Sequence, residues 1–182
     1  MEKGDRFKFL LHIINKLSSK GDRSGETNIQ KLIYFIIRGG LAELPYKYRL
    51  HNYGPYSFDL KDELKYMENA RMVLKIPDPS GYGFKYIPNK EMPFVKESLK
   101  ELRLEFPKID EAIDKFKKYH AKRLGLLATF MYVYQKHKIE DDDKLIRIVG
   151  EIKPMFNKWE LENTYNDYKS IIKTDKADLF SI

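Results

Sequence analysis

Val73-Leu74-Lys75-Ile76-Pro77-Asp78-Pro79-Ser80-Gly81-Tyr82-Gly83-Phe84-Lys85-Tyr86-Ile87-Pro88 decides how this chain is read. Its two ends, Val73 to Ile76 and Tyr82 to Ile87, are rich in β-branched and aromatic side chains, which suit a pleated surface. Between them stand two prolines, an aspartate, a serine and a glycine, the residues of a reversing loop. The pattern predicts strand, loop and strand, a β-hairpin closed by Pro88.

Upstream of the hairpin, Ser57 is placed to cap a helix whose Leu60, Leu64 and Met67 share one face, with Asp59 at the positive end of its dipole. Before that, Tyr46-Lys47-Tyr48-Arg49-Leu50-His51-Asn52-Tyr53 is aromatic and alternating, as expected of a short strand ended by a Gly54-Pro55 turn. Thr27-Asn28-Ile29-Gln30 has the form of a capping box, in which hydroxyl and amide satisfy free backbone donors reciprocally. The helix it opens carries Ile29, Leu32, Ile33, Phe35, Ile36 and Ile37, too wide an apolar arc for one wet face, so it belongs at the centre of a core. Gly39-Gly40 stops it. Phe9, Leu10, Ile13, Ile14 and Leu17 predict a first amphipathic helix, ended by Ser18-Ser19-Lys20-Gly21.

Helix, helix, strand, helix, hairpin is the element order of a winged helix, expected over residues 1–90 with the hairpin as its wing. From residue 91 the spacing is helical throughout, over 91–105, 108–120, 121–138, 142–153 and 157–173, with breaks at Pro107, Gly125 and Pro154. A helical domain over 91–182, packed on the first, is the expectation. The fold class is therefore mainly α with a small β-sheet.

Composition narrows the chemistry. With 182 residues, 42% of them hydrophobic, the chain can bury a core without covalent staples. The absence of cysteine excludes disulfides, thiolate zinc sites and cysteine nucleophiles, and fits a cytoplasmic address. No stretch approaches the roughly 20 apolar residues of a membrane span, so no membrane partner is expected. Thirty-four Lys and Arg against 27 Asp and Glu give a net charge of +7, an excess that favours polyanions.

Lys31-Leu32-Ile33-Tyr34, then Tyr46 to His51 leading into Tyr53-Gly54-Pro55-Tyr56-Ser57, then Leu60 and Leu64, resemble the YwgA-like proteins of archaea and bacteria. They are similar, more distantly, to the Panacea domain of antitoxins. The likeness extends into Leu126 to Tyr134 and into Glu151-Ile152-Lys153-Pro154, where such proteins often carry a helix ending in Lys-Pro. It implies a winged-helix-related fold, with Lys31, Tyr34, Tyr53, Gly54, Pro55, Tyr56 and Ser57 as its motif. In the Panacea branch it also implies protein binding of an antitoxin or chaperone-like kind, and no active site.

Read from its residues alone, the Tyr53 to Ser57 stretch is either a rigid aromatic binding turn or simply a turn with a helix cap. The helix after Ser57 is a poor element for the DNA major groove. Its charges are Asp59, Lys61, Asp62, Glu63, Lys65 and Glu68, a net of −2, which phosphate repels. The strongest basic run is Lys115, Lys117, Lys118, Lys122 and Arg123, with Tyr119 and His120 interleaved, and wing residues Lys75, Tyr82, Lys85 and Lys90 would add to it. Its bland alternative is a solvated lysine face at a helix junction.

Signatures of catalysis are missing from the text. His12, His51, His120 and His137 lack metal-ligand spacing, and Asp141-Asp142-Asp143 suits the start of a helix rather than a cation. Glu63-Leu64-Lys65 and Glu151-Ile152-Lys153 resemble half a nuclease site but fall on helices. The 13 tyrosines and 11 phenylalanines are expected chiefly in the core, with Trp159 anchoring the last helix beside Leu161, Tyr165, Tyr168 and Ile172. A non-catalytic binding protein without metal or cofactor is the expectation. It would act on nucleic acid through residues 115–123 and the wing, or alternatively as an antitoxin-like protein-interaction module.

Overall fold

The computed structural model describes residues 2–19, 24–78, 83–101 and 106–173; Tyr82, expected at the wing tip, lies outside them. In chain order the elements are α1 (Lys3–Ser19), α2 (Glu26–Arg38), β1 (Arg49–His51), β2 (Gly54–Tyr56), α3 (Phe58–Asn69), β3 (Val73–Pro77) and β4 (Phe84–Pro88). They continue as α4 (Pro93–Glu101), α5 (Pro107–Phe116), α6 (Ala121–His137), α7 (Asp142–Ile152), α8 (Lys158–Tyr168) and one π-helical turn, Lys169–Lys173. The chain is mainly helical, with two small antiparallel sheets, β1-β2 and β3-β4. No helix among the described residues is long and apolar enough to cross a membrane.

Most of the wide apolar arc of α2 is buried as its sequence requires: Ile29, Leu32, Ile33, Phe35 and Ile36 are at most 2% exposed, as is Tyr34, while Ile37 is half-buried. Phe35 stacks on Phe116 of α5 with ring centroids 4.2 Å apart, and Phe9 of α1 meets Phe106 edge-on at 5.5 Å. Each such burial contributes about 1.5–3 kcal/mol. Helix α6 is enclosed almost all round, from Leu124 to Met131, and packs on α2, α7 and α8. A single continuous core thus draws on residues from both sides of position 90.

The hairpin at 73–88 forms as expected, with Val73 opposite Pro88 and Pro77 opposite Phe84. Its strand β4 is bridged on the other side by the segment before α2, through a Gly25–Lys85 bridge and a hydrogen bond from the Tyr86 amide to the Ser24 carbonyl at 3.0 Å. Ser57 caps α3 by accepting the Leu60 amide, and Asp141 caps α7 by accepting that of Lys144.

Several expectations need correction. Helix α2 begins at Glu26 behind Gly25 with no side-chain cap, because the Gln30 amide needed for a capping box is bonded to Ser57 instead. The expected strand 46–53 is a hairpin: pairing starts at Arg49, turns through Asn52 and Tyr53, and places Gly54 and Pro55 in β2 rather than in the turn. Gly125 interrupts nothing and sits inside α6, where a glycine costs about 1 kcal/mol relative to alanine. Trp159 anchors nothing either, being 69% exposed. The last helix gives way at Tyr168 to the π turn.

Candidate functional site

The stretch from Arg49 to Phe58 is where the structure concentrates unusual contacts. Strands β1 and β2 pair Arg49 with Tyr56, Leu50 with Pro55 and His51 with Gly54, so Arg49, His51 and Tyr56 share one face. Gly54, the first residue of β2, holds φ +92°, a backbone conformation that favours glycine.

Three helices grip this hairpin. From α2, the buried Gln30 amide donates from Nε2 to the Ser57 carbonyl at 2.8 Å and accepts the Ser57 amide on Oε1 at 3.0 Å, standing in for a missing strand partner. Its neighbour Lys31, 1% exposed, donates from Nζ to the Pro55 carbonyl at 2.8 Å. From the end of α7, Lys153 donates to the carbonyls of His51 and Asn52 at 2.8 and 2.5 Å. Against α6 the two backbones nearly touch: a Cβ built on Gly125 would lie 2.6 Å from the Tyr53 carbonyl oxygen, and one on Gly54 2.5 Å from that of Gly125. The Thr129 hydroxyl donates to the same Gly125 carbonyl at 2.8 Å.

Burial, reinforced by the nearby Lys153 ammonium and partly opposed by Glu26, pushes the Lys31 amine down to about 7. Burial also lowers Lys153. The Tyr56 hydroxyl donates to Glu26 at 2.5 Å, and burial together with that carboxylate raises its pKa.

Outward, the hairpin carries rings. His51, Tyr56 and Phe58 form a mutual cluster with centroids 5.3–6.5 Å apart. Tyr53 at the turn is 71% exposed and Phe58 56%. Exposed Ile152 and Met155 flank Lys153 in sequence, with Trp159 the second residue of α8. Tyr34, by contrast, is fully buried on α2 and packs edge-on against Tyr48 at 5.0 Å.

The basic region 115–123 is matched by carboxylates. Lys117 pairs with Asp114, Lys122 with Glu160 at 2.8 Å, and Arg123 reaches Asp167 through Nε at 2.9 Å and Nη2 at 2.5 Å. Lys115 reaches the Ile171 carbonyl, and Lys118 lies 5.1 Å from the Tyr119 ring. In the wing, Lys85 is buried, Lys75 lies over the rings of Phe84 and Tyr86, and Lys90 is exposed. The wing strands pack on α1, α2 and α3, whereas the cations of 115–123 are tied mainly to α8 and the turn after it. Arg123→Ala is expected to cost less than about 1 kcal/mol in a urea melt, as for a pair that water partly screens.

Two further constellations link residues far apart in sequence. His12, 4% exposed, lies 2.6 Å from Asp110, which Lys16 also contacts, joining α1 to α5. Glu63 accepts from Arg6 at 3.2 Å and from the Tyr46 hydroxyl at 2.5 Å, while Glu151 pairs with Arg147. Both Glu-x-Lys carboxylates thus have partners of their own. No group of three His, Asp or Glu residues among the described residues has the arrangement of a metal centre.

No protein-family model matches this chain, and no curated protein is significantly similar to it. The motif residues are brought together by the fold itself. Lys31, Gly54, Pro55, Tyr56 and Ser57 meet in one assembly with Gln30, Gly125, Thr129 and Lys153, whereas Tyr34 lies a turn away in the core. Gln30 and Gly125 carry no local signal for these roles, since their partners stand 27 and 71 or 72 positions distant.

Proposed function

We propose that this chain is a non-catalytic binding protein whose contact surface is the aromatic face of residues 49–58 and whose partner is a protein. The observation that carries this reading is the pairing of large exposed rings, Tyr53 and Phe58, with a backbone clamped by Gln30, Lys31, Lys153 and the Gly54–Gly125 contact. A surface already ordered before association loses little conformational entropy on binding, and aromatic anchors dominate the energetics of protein interfaces. A turn needed only to reverse the chain would not require its rings in water.

The architecture around this surface is, in the same proposal, of winged-helix type. The Gly25–Lys85 bridge supports it, since Ser24 and Gly25, just before α2, lie against strand β4 of the wing. Nucleic acid is the weaker partner, because phosphate would compete with Asp114, Glu160 and Asp167 for the cations of 115–123.

A photo-reactive amino acid at position 53 in living cells identifies the partner. Purified partner should then bind Tyr53→Ala and Phe58→Ala at least 10- to 30-fold more weakly than the parent chain, the loss typical of interface anchors. Unchanged affinity in both variants would defeat the proposal. Anisotropy with duplex and single-stranded probes tests the other reading: salt-dependent binding lost in a Lys118→Ala, Lys122→Ala double variant would transfer the function to the basic region.

A further inference from the structure

Lys31 and Lys153 are buried from two sides of the same hairpin, 1% and 3% exposed, and among the described residues neither is bonded to a carboxylate. Among those residues, each donates to backbone carbonyls alone. Interior lysines normally carry a paired anion or lose their proton, because desolvation disfavours the ammonium. The bonding differs between the two. Lys153 serves two acceptors, whereas Lys31 serves one, the Pro55 carbonyl, so a neutral Lys31 amine keeps its hydrogen bond while shedding both its desolvation penalty and its repulsion from Lys153.

We propose that the two lysines form a proton-sensitive clasp, which seats the 49–56 hairpin on α6 when Lys31 is neutral and loosens it when both amines are charged. The clasp would regulate the surface proposed above, and that consequence rests on the protein-binding reading. The charged and titratable groups facing it are few. Glu26 lies on the same helix and has one carboxylate oxygen bonded to the Tyr56 hydroxyl. Tyr56 presents its ring 5.8 Å from the Lys31 Nζ, and Asp62 of α3 acts on Tyr56. From β1 comes His51, whose carbonyl Lys153 holds, while α6 presents only uncharged Gly125 and Thr129 here.

The direction follows from linkage. A hairpin lifted from α6 exposes Lys31 to water, where its pKa returns to about 10.4, whereas in the seated state it stands near 7. Protons therefore favour the open state as pH falls between these limits. Opening should rise roughly 50-fold from pH 9 to pH 7 and flatten below that.

The full chain, without any partner, tests this by amide exchange and by NMR titration of the lysine side chains. The reporter amide is that of Ser57, buried and bonded to Gln30. Its protection, corrected for intrinsic exchange, should fall roughly 50-fold from pH 9 to 7 in the parent chain and in His51→Asn, which removes the only imidazole on the hairpin. In Lys31→Met most of this dependence should vanish, leaving only the part that the burial of Lys153 contributes, and amides of α1 should change less than Ser57. A Lys31 side chain still protonated at pH 9, an unaltered profile in Lys31→Met, or a parallel change throughout α1 would overturn the clasp. The side-chain titration needs no variant, so it decides even if Lys31→Met does not fold. Since no partner is involved, failure here leaves the binding proposal standing, and failure of the affinity test leaves the clasp standing.

Discussion

Gly54→Ala should destabilise the fold by about 2–5 kcal/mol and lower the melting temperature by roughly 5–15 °C, the conversion for a domain of this size. Two independent effects combine. At φ +92° a Cβ is strained by about 1–2 kcal/mol. Its carbon would also lie 2.5 Å from the Gly125 oxygen and 3.2 Å from the Thr129 hydroxyl, an overlap that forces the hairpin off α6 at a further cost of about 1–3 kcal/mol. Gly83→Ala separates the two effects, since Gly83 has φ +83° with nothing within 4 Å of its Cβ position, and should show the strain alone. Gly125→Ala supplies the complement: helical backbone, improved helix propensity and a 2.6 Å clash with the Tyr53 carbonyl. If urea melts place Gly54→Ala no lower than Gly83→Ala, the close approach of hairpin and helix is not part of the folded state.

That contact marks the boundary of what the residues reveal in order along the chain. Periodicity in Ile29 to Ile36 announces a core helix, Ser57 and Asp141 announce caps, and Val73 to Pro88 announces a hairpin, because each signal and its cause lie within a few residues. Gly125 carries the opposite lesson. A glycine within a helical run looks like a break, and only the Tyr53 carbonyl, 72 positions away, explains why it is not one. Trp159 misleads similarly, since an apolar ring promises burial until the path of α8 turns it outward. The basic run of 115–123 was legible as composition but not as a surface, because Glu160 and Asp167 approach it from another helix. At the candidate site, the Tyr53 to Ser57 stretch stood out for its residue types, whereas the grip of Gln30 and Lys153 on it depends wholly on tertiary geometry.

Gln30 and Thr27 give this distinction an energetic test. A capping box would make both residues matter to the start of α2, with Thr27→Ala costing about 1 kcal/mol. In the fold Gln30 instead serves Ser57, using its donor and its acceptor at once, and α2 starts two residues earlier behind Gly25. Gln30→Leu keeps the apolar volume near that of the amide but leaves the Ser57 N–H without a partner at a position with 0% exposure, while the Ser57 carbonyl still accepts the Lys61 amide at 3.2 Å. A buried unmet donor costs about 1–3 kcal/mol, so a loss of about that size is expected in urea denaturation. Thr27→Ala should fall within about 0.5 kcal/mol of the parent, as for a substitution outside any such network. The opposite ranking would restore the capping box and detach the hairpin from α2. The expected ranking also bears on binding: Gln30→Leu should weaken partner affinity along with stability, because it frees the backbone on which Phe58 is mounted, whereas Phe58→Ala should weaken affinity alone.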